Sequence, residues 1–356
     1  MKKDTLITLI QGACIGIANI IPGVSGGTIA FILGIYQKLI VSITNINLET
    51  IKSLKYIFNK DQEQRKKFYE AMGKINFFFL LKLVTGAVIA IFSLSFLFTY
   101  LLVKQHDSTY GFFFGLVLVS IIFPYKLLEK IRLKEIISFI LAALFVVILA
   151  RYTHIREQNA AVTLQKKFAN SSDLQEILIK KGKQKNASKL LAILENKHKK
   201  TTIIITDLFI YFCAAAVVIS AMILPGISGS FLLLLMGLYF DILHAIKTFN
   251  IPILMTFSLG CAVGLILFTR LLNYILKYYY NATLAFLTGL IAGSLYGIWP
   301  FKTLITIKGM NFYGCNILPV SFDFNFIMTI ITCLSGAGLV FLLFMCGEKL
   351  RDSSTT

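Results

Sequence analysis

Proline, glycine and serine residues interrupt two long apolar segments of this sequence at corresponding places. The first interruption reads Pro-Gly-Val-Ser-Gly-Gly-Thr over residues 22–28, and the second reads Pro-Gly-Ile-Ser-Gly-Ser-Phe over residues 225–231. Proline lacks a backbone donor and keeps its predecessor out of helical geometry, so each segment is expected to break there. The helix that follows begins with N–H groups that have no partner within it. Together with serine and threonine hydroxyls, such groups predict a site for an anion.

The candidate anion-binding residues supply either donors or a close approach of backbone to the ligand. Arg270 lies in an apolar segment, where it either pairs with a phosphate or extends to the membrane surface. Asn19 either lines the first interruption or forms a hydrogen bond between helices. The full set is Asn19, Gly23, Ser25, Gly26, Gly27, Thr28, Gly226, Ser228, Gly229, Ser230 and Arg270. The alternative interpretation of both interruptions is close packing of helices through small residues.

Other ionisable and sulfur-containing side chains offer less chemistry. Asp241 and His244 follow the second interruption, where they either carry a proton or mark the solvated end of a hairpin. The six cysteines form no CxxC pair and have no histidine nearby at metal-binding spacing. The sequence therefore predicts no metal site, no cofactor and no catalytic residue.

The elements that must position these residues are membrane helices. Of the 356 residues, 57% are hydrophobic and only 15% are charged, which excludes a water-soluble monomer. Most of the apolar segments are near the twenty or so residues that cross a bilayer. They cover residues 5–43, 75–103, 110–128, 135–150, 203–245, 251–276, 282–299 and 324–346. We predict an all-α, multi-pass integral membrane protein.

The positive charge is concentrated in polar loops between these segments. The formal net charge is +18, from 35 Lys and Arg against 17 Asp and Glu, and residues 44–74 and 151–201 carry more than half of the basic side chains. Loops beside membrane helices meet anionic lipid headgroups. Anionic lipids are therefore the expected partner, and nucleic acid is not.

The two halves of the chain are related by an internal duplication. Residues around the two interruptions match at a spacing of 203 positions, and downstream residues such as Gly86 and Gly260 match at a spacing of 174. The difference is about the size of the polar insertion 44–74, which the second half lacks. The predicted units are a first membrane repeat over 1–150, a basic inter-repeat loop over 151–202 and a second membrane repeat over 203–349.

The distribution of basic residues predicts how these repeats are oriented. Lys and Arg near both termini, in loop 44–74 and around residues 126–134 share the cytoplasm if 5–43 is a re-entrant hairpin. Each repeat then has a broken hairpin followed by about three crossings, and the second repeat is inverted relative to the first. The N- and C-termini are predicted to be cytoplasmic. The basic loop 151–201 falls outside, which conflicts with the charge rule, although long loops obey that rule less strictly.

A Gly-Leu-x-x-x-Ser sequence occurs once in each half, at residues 115–120 and 289–294, and a proline follows each, at positions 124 and 300. Small residues one turn apart suit close helix packing. We interpret both as contacts between helices, with a border of the anion site as the alternative.

Three stretches resemble the bacterial polyprenyl-phosphate transporter family. They are GIANIIPGVSGGTIAFILGIY over 16–36, PGISGSFLLLLMGLY over 225–239 and GLIAGSLYGIWP over 289–300. The likeness covers nearly the whole chain except the polar loops, and loop 151–201 is longer than the family pattern. The resemblance implies a non-enzymatic translocase that returns undecaprenyl phosphate across the bacterial plasma membrane for peptidoglycan and other envelope synthesis. The anion site follows from the residues, whereas the lipid follows only from the resemblance.

Two other functions compete with this one. Undecaprenyl-pyrophosphate phosphatases are similar in using paired membrane repeats and a Pro-Gly-x-Ser-Arg-Ser type of loop, but Gly26 and Gly229 stand where that arginine would be. The two interrupted segments also contain no glutamate for acid–base or metal chemistry. An anion channel is the other alternative, because glycine and serine at helix tips also suit a halide. A homo-oligomer is compatible with the sequence.

Overall fold

The computed structural model describes residues 2–20, 25–56, 62–169, 205–307, 310–319 and 321–352. These residues are mostly helical, with a short 3-10 turn at Leu54–Tyr56 and one two-stranded hairpin. The helices are α1 Lys2–Ile20, α2 Gly26–Ile32, α3 Tyr36–Thr44, α4 Leu48–Ser53, α5 Gln62–Lys74, α6 Phe77–Lys104, α7 His106–Ser120, α8 Ile122–Lys126, α9 Leu133–Ala169, α10 Ile205–Ile223, α11 Gly229–Leu235, α12 Tyr239–Thr248, α13 Ile251–Tyr278, α14 Tyr280–Gly297 and α15 Phe324–Asp352. The strands are β1 Lys302–Ile307 and β2 Met310–Asn316, which pair antiparallel.

Long apolar helices dominate the described part of the chain. Five stretches in it are long and apolar enough to cross a membrane, and α2 and α3 form a further pair that is bent by 118°. The five stretches are Phe77–Leu94, His106–Lys126, Leu133–Ile155, Ile251–Tyr278 and Phe324–Leu342. Large apolar side chains on them point outward, such as Phe92, which is 81% exposed. Lipid must cover these side chains, so the protein is a multi-pass membrane protein.

Two features of the architecture differ from the sequence-based expectation. The β1–β2 hairpin was not predicted, although its strands contain the β-branched and aromatic residues that favour extended backbone. Helix α9 continues to Ala169, well beyond the predicted end of its apolar segment at residue 150. Hydropathy detects the apolar part of a helix and gives no signal where the same helix continues into water.

Helices of each half pack closely through glycine. Helix α1 lies along α6, and α10 lies along α13. An added Cβ at Gly86 would meet the carbonyl of Leu9, and one at Gly260 would meet the carbonyl of Phe212. Gly86 and Gly260 are 174 positions apart, and Leu9 and Phe212 are 203 apart, so both contacts follow the spacings found in the sequence.

The two halves also exchange contacts. Helix α7 packs on α15, and α14 packs on α9. An added Cβ at Gly115 would meet the carbonyl of Cys333, and one at Gly289 would meet the carbonyl of Phe139. These contacts confirm the prediction that the Gly-Leu-x-x-x-Ser sequences mediate contacts between helices.

Local hydrogen bonds recur at the same spacing. The hydroxyls of Thr109 and Thr283 donate to the carbonyl four residues earlier, over 2.6 and 2.8 Å. The hydroxyls of Ser120 and Ser294 donate to the carbonyl three residues earlier, over 2.6 and 2.7 Å. The repeated sequence therefore forms repeated local structure in α7 and α14.

Substitution of two glycines in α15 tests the packing between the halves. Gly336→Ala would place a methyl group against the carbonyl of Phe112, whereas no atom of the described residues lies within 4 Å of a Cβ added at Gly338. Overpacking costs about 1–3 kcal/mol, so the Gly336→Ala variant is expected to unfold several degrees below the wild type in a thermal scan. The matched Gly338→Ala variant is expected to be neutral or slightly more stable, because alanine favours helix. Equal unfolding temperatures for the two variants would contradict this packing.

Contacts between helix ends define two ends of the molecule. At the first end, Arg270 bonds the carbonyl of Ile46, and Asn45 bonds the carbonyl of Lys74. At the second end, Lys302 contacts His154. Helix α1 starts at the first end, where Lys82 bonds Thr5, and α10 starts at the second end, beside α12 and the start of α13. The two interrupted segments thus approach the interior from opposite ends.

Candidate anion site at the paired helix breaks

The first break is organised by Ser25, which caps helix α2. Its hydroxyl accepts a hydrogen bond from the N–H of Gly27 over 3.1 Å, and its carbonyl accepts from the N–H of Thr28 over 3.0 Å. Ser25 is only 2% exposed and Thr28 only 1%. The cap satisfies donors at the start of α2 that would otherwise be unpaired in a buried place.

The two breaks contact each other directly. Ser25 donates its hydroxyl hydrogen bond to the carbonyl of Leu224 over 3.1 Å. The N–H of Gly226 donates to the hydroxyl of Thr28, also over 3.1 Å. Polar groups of both breaks therefore face each other in a buried junction.

Glycine makes this close approach possible. An added Cβ at Gly27 would lie 2.6 Å from the carbonyl oxygen of Ile223, so no side chain fits there. Gly226 has φ of +83°, a left-handed conformation that favours glycine, and its Cα faces the carbonyl of Leu290. Gly26 lies against the side chain of Asn19, which therefore lies beside the first break.

The second break is less polar on its helical side. Gly229 begins α11 and packs against the side chains of Met222 and Val218. Ser228 is half-buried, and its carbonyl accepts from the N–H of Leu232 over 3.2 Å. Ser230 lies in the first turn of α11. Gly23 lies outside the described residues.

Tyr36 is a junction residue that sequence analysis missed as a ligand-contacting candidate. Its hydroxyl donates to the carbonyl of Ile223 over 3.2 Å, and its ring stacks on Phe31 with centroids 4.1 Å apart. The available signal was its place in the repeat, since Tyr239 occupies the matching position. That signal alone does not distinguish a tyrosine at the start of α3 from an ordinary core residue.

The structure does not bring Arg270 to the junction. Its guanidinium donates to the carbonyl of Ile46 over 3.1 Å, just beyond the end of α3. Tyr36 stands at the other end of this nine-residue helix, about 13 Å away along its axis. Arg270 is exposed, beside the polar segment that follows α3.

Asp241 and His244 also lie away from the junction. Asp241 accepts a hydrogen bond from the hydroxyl of Tyr211 over 3.3 Å, and His244 is exposed. Tyr211 precedes the end of α10 by twelve residues, or about 18 Å of helix. Their role in proton coupling stays a prediction. Among the residues described, no group of three or more His, Cys, Asp and Glu could hold a metal ion.

Comparison with known proteins identifies the family. The sequence model of the undecaprenyl phosphate translocase-like family matches residues 15–312, which include both breaks. This chain belongs to that family. Two relatives of this translocase-like chain carry the name polyprenyl-phosphate transporter. One, from Vibrio cholerae, is 34% identical over 301 residues, covering 85% of this chain and 80% of the relative. The other, from Staphylococcus aureus, is 30% identical over 306 residues, covering 84% and 88%. No solved structure matches the chain.

Family membership decides between transport and the enzymatic alternative that the sequence left open. The family is described as translocase-like, and both relatives are named as transporters rather than enzymes. The resemblance noted in the sequence is thereby confirmed, and the phosphatase-like alternative loses its basis. The translocase-like chain is a transporter and not an enzyme.

Proposed function

We propose that this chain translocates polyprenyl phosphate, with undecaprenyl phosphate as the main substrate, and that the phosphate binds where the two breaks meet. The lipid is supported by the family and by the names of the two relatives. The observation that carries the site is the pair of hydrogen bonds between the breaks, from Ser25 to Leu224 and from Gly226 to Thr28. In this function the transporter returns the lipid carrier across the bacterial plasma membrane for cell-envelope synthesis.

Only the phosphate of such a lipid needs protein in order to cross. The isoprenoid tail is soluble in the bilayer, whereas an unpaired charge in hydrocarbon costs many kcal/mol. A buried junction of hydroxyls and backbone N–H groups replaces the water around the phosphate. The tail extends sideways into lipid while the phosphate passes through the protein.

Phosphate binding requires the donors at the junction to change partners. The hydroxyls of Ser25 and Tyr36 now donate to the carbonyls of Leu224 and Ile223. When the breaks separate, phosphate oxygens take the place of these carbonyls as acceptors, and the N–H of Gly226 is released from Thr28. Hydrogen bonds to a charged acceptor are stronger than those to a carbonyl, which compensates for opening the junction. Ser228 and the first N–H groups of α11 contribute from the second break.

We further propose that the two halves, 1–150 and 203–349, are inverted repeats that rock around this junction. The opposite approaches of α1 and α10, and the recurrence of contacts at spacings of 203 and 174, support this arrangement. Repeat transporters expose a central site alternately to each side in this way. The end that carries both termini, loop 44–74 and residues 126–134 is the cytoplasmic one, where its basic side chains meet anionic lipids.

In this proposal Arg270 acts at the cytoplasmic end of the path, where it attracts the phosphate. Arg270→Gln is expected to lower the translocation rate several-fold, and Arg270→Lys to retain more of it because the charge stays. Lys277→Gln is the matched control, because Lys277 lies about two turns further along the same helix and interacts with the ring of Tyr278. Equal rates for the Arg270→Gln and Lys277→Gln variants would remove Arg270 from the path.

Reconstitution of the purified chain in proteoliposomes tests the function. We expect labelled polyprenyl phosphate to move between leaflets in a protein-dependent, saturable way, with competition by unlabelled lipid phosphate. The assay is repeated under proton and sodium gradients. Chloride flux without lipid translocation would favour an anion channel, and no translocation by folded protein under any gradient would contradict the proposal.

A further inference from the structure

A second group of polar side chains lies at the end of the molecule opposite to Arg270, under the β1–β2 hairpin. Lys302 begins β1, and its cross-strand partner is Asn316 at the end of β2. The Lys302 ammonium lies 3.3 Å from the Nε2 atom of His154 on α9 and donates to the carbonyl of Gly297 over 2.9 Å. The β1–β2 hairpin and the distant helix α9 thus bring Lys302, Asn316 and His154 together, and we call these three residues the hairpin cluster.

The contact with Lys302 sets the tautomer of His154. An ammonium group has donors and no acceptor, so the Nε2 atom of His154 accepts and the proton of the neutral ring lies on Nδ1. His154 is only 7% exposed, and its Nδ1 atom is buried without a hydrogen-bond partner among the described residues. A buried, unpaired donor is costly, and it indicates a place for an acceptor that comes from outside the chain.

Asn316 presents the complementary group. Its Nδ2 atom donates to the carbonyl of Tyr296 over 2.7 Å, while its Oδ1 atom is buried with no partner in the described part of the chain. The ring of His154 stacks near the ring of the same Tyr296, with centroids 6.0 Å apart. The hairpin cluster therefore leaves one donor and one acceptor unpaired around a single tyrosine, next to a cation.

Aromatic rings border the hairpin cluster and separate it from the nearby acidic group. The Lys302 ammonium lies 5.0 Å from the centre of the Tyr110 ring. His106 is stacked between Tyr110 and Tyr313, at 4.4 and 3.5 Å, and its Nδ1 atom is bonded to Asp107 over 2.9 Å. Asp107 is thus engaged with His106, and the charge beside His154 is that of Lys302.

We propose that the hairpin cluster is a second binding site, for a phosphate monoester, at the extracytoplasmic end of the transporter. The ligand oxygens accept from Lys302 and from the Nδ1–H of His154, and a protonated phosphate oxygen donates to the Oδ1 atom of Asn316. A monoanionic phosphate monoester has both kinds of group, whereas a halide or a carboxylate has no donor. This inference rests on the proposed function: the site receives the lipid headgroup on the side from which the carrier returns, before the phosphate reaches the paired breaks.

The single tryptophan of the chain reports on this site. Trp299 lies three residues before Lys302, donates its indole N–H to the carbonyl of Ile317 over 2.9 Å and packs against Phe114. We would titrate detergent-solubilised or nanodisc-embedded protein with a short-chain prenyl phosphate and follow Trp299 fluorescence. The matching prenyl alcohol and inorganic phosphate form parallel titrations.

We expect a saturable fluorescence change with prenyl phosphate and none with prenyl alcohol. Lys302→Gln is expected to raise the half-saturating concentration by about tenfold or more, since a hydrogen bond from a charged donor is lost. Lys104→Gln removes an exposed positive charge at the same end and is expected to leave it unchanged. Asn316→Asp keeps the size of the side chain and adds a negative charge, so it provides a second weakened variant if Lys302→Gln does not fold.

The outcomes distinguish the ligand sources and the two proposals. If inorganic phosphate saturates the signal at the same concentration as prenyl phosphate, the site is assigned to free phosphate. If inorganic phosphate acts much more weakly than prenyl phosphate, the site is assigned to the lipid headgroup. Equal titrations for wild type, Lys302→Gln and Asn316→Asp would overturn the hairpin-cluster site. Translocation in proteoliposomes is measured in parallel. If the wild type and the Lys302→Gln variant translocate equally fast, this inference alone is refuted. If the wild type does not translocate, the proposed function is refuted.

Discussion

Replacing Ser25 and Ser228 together by alanine is expected to lower the initial rate of polyprenyl-phosphate translocation by about 100-fold or more. Each hydroxyl donates to the phosphate in our proposal, and a hydrogen bond to a charged group contributes about 1.5–3 kcal/mol. A loss of 1.4 kcal/mol corresponds to tenfold in an equilibrium or rate. The Ser25 hydroxyl lies 3.1 Å from the carbonyl oxygen of Leu224 in the opposite break, so it already points into the junction.

Controls separate this effect from loss of the helix cap. Ser25→Ala also removes the bond to the N–H of Gly27, which costs about 1 kcal/mol of stability, so the thermal unfolding of each variant is measured beside its rate. Ser93→Ala is the matched control, because the exposed Ser93 donates to the carbonyl of Ile89 in its own helix, away from the junction. A double variant that folds and translocates at the wild-type rate would remove the two serines from the site.

Substitution of Gly27 is expected to have the second large effect. An alanine Cβ would lie 2.6 Å from the carbonyl oxygen of Ile223 and 3.3 Å from the backbone of Leu224. The two breaks must then separate, which weakens the bonds from Ser25 and to Thr28. We expect Gly27→Ala to lower the translocation rate at least about tenfold, since overpacking of this kind costs about 1–3 kcal/mol, and Gly27→Val to abolish translocation.

The matched control for this substitution is Gly73→Ala. Gly73 lies in α5 with nothing within 4 Å of an added Cβ, so its variant is expected to translocate normally. Retention of wild-type rate and wild-type unfolding temperature by Gly27→Val would mean that the two breaks do not pack as described.

The breaks and their equivalence could be predicted from the sequence because they depend on local chemistry and on repetition. A proline in the interior of an apolar helix removes a backbone donor and clashes with the preceding turn, so the prolines at positions 22 and 225 predict breaks. The repeat spacing then indicates that the two breaks occupy equivalent places. In the structure the two breaks are in direct contact through the hydrogen bond from Ser25 to the carbonyl of Leu224.

The partners of individual side chains could not be predicted in the same way. The sequence left Arg270 with two alternatives, a phosphate or the membrane surface, and gave no sign that the guanidinium donates to the carbonyl of Ile46, 224 positions away in sequence. Tyr36 belongs to a repeated motif, but only the fold shows that its hydroxyl donates to the carbonyl of Ile223. Long-range partners depend on how helices are rotated and shifted, and hydropathy does not encode this.

The hairpin after α14 shows another limit of pattern analysis. Strands β1 and β2 lie between two apolar segments, in a stretch too short for a membrane crossing and without strict alternation. Hydropathy alone therefore indicates a loop between these two apolar segments. The polar atoms of Lys302 and Asn316 acquire a role only when the hairpin pairs them and places Lys302 beside His154.

The most direct test of the central claim is the structure of the chain in lipid nanodiscs with bound polyprenyl phosphate. We predict a state in which the phosphate lies within hydrogen-bonding distance of the Ser25 hydroxyl and the N–H of Gly226, with the bond between Ser25 and Leu224 broken. The central claim would be contradicted if a protein that translocates bound the lipid only elsewhere and kept the bond between Ser25 and Leu224 in every bound state.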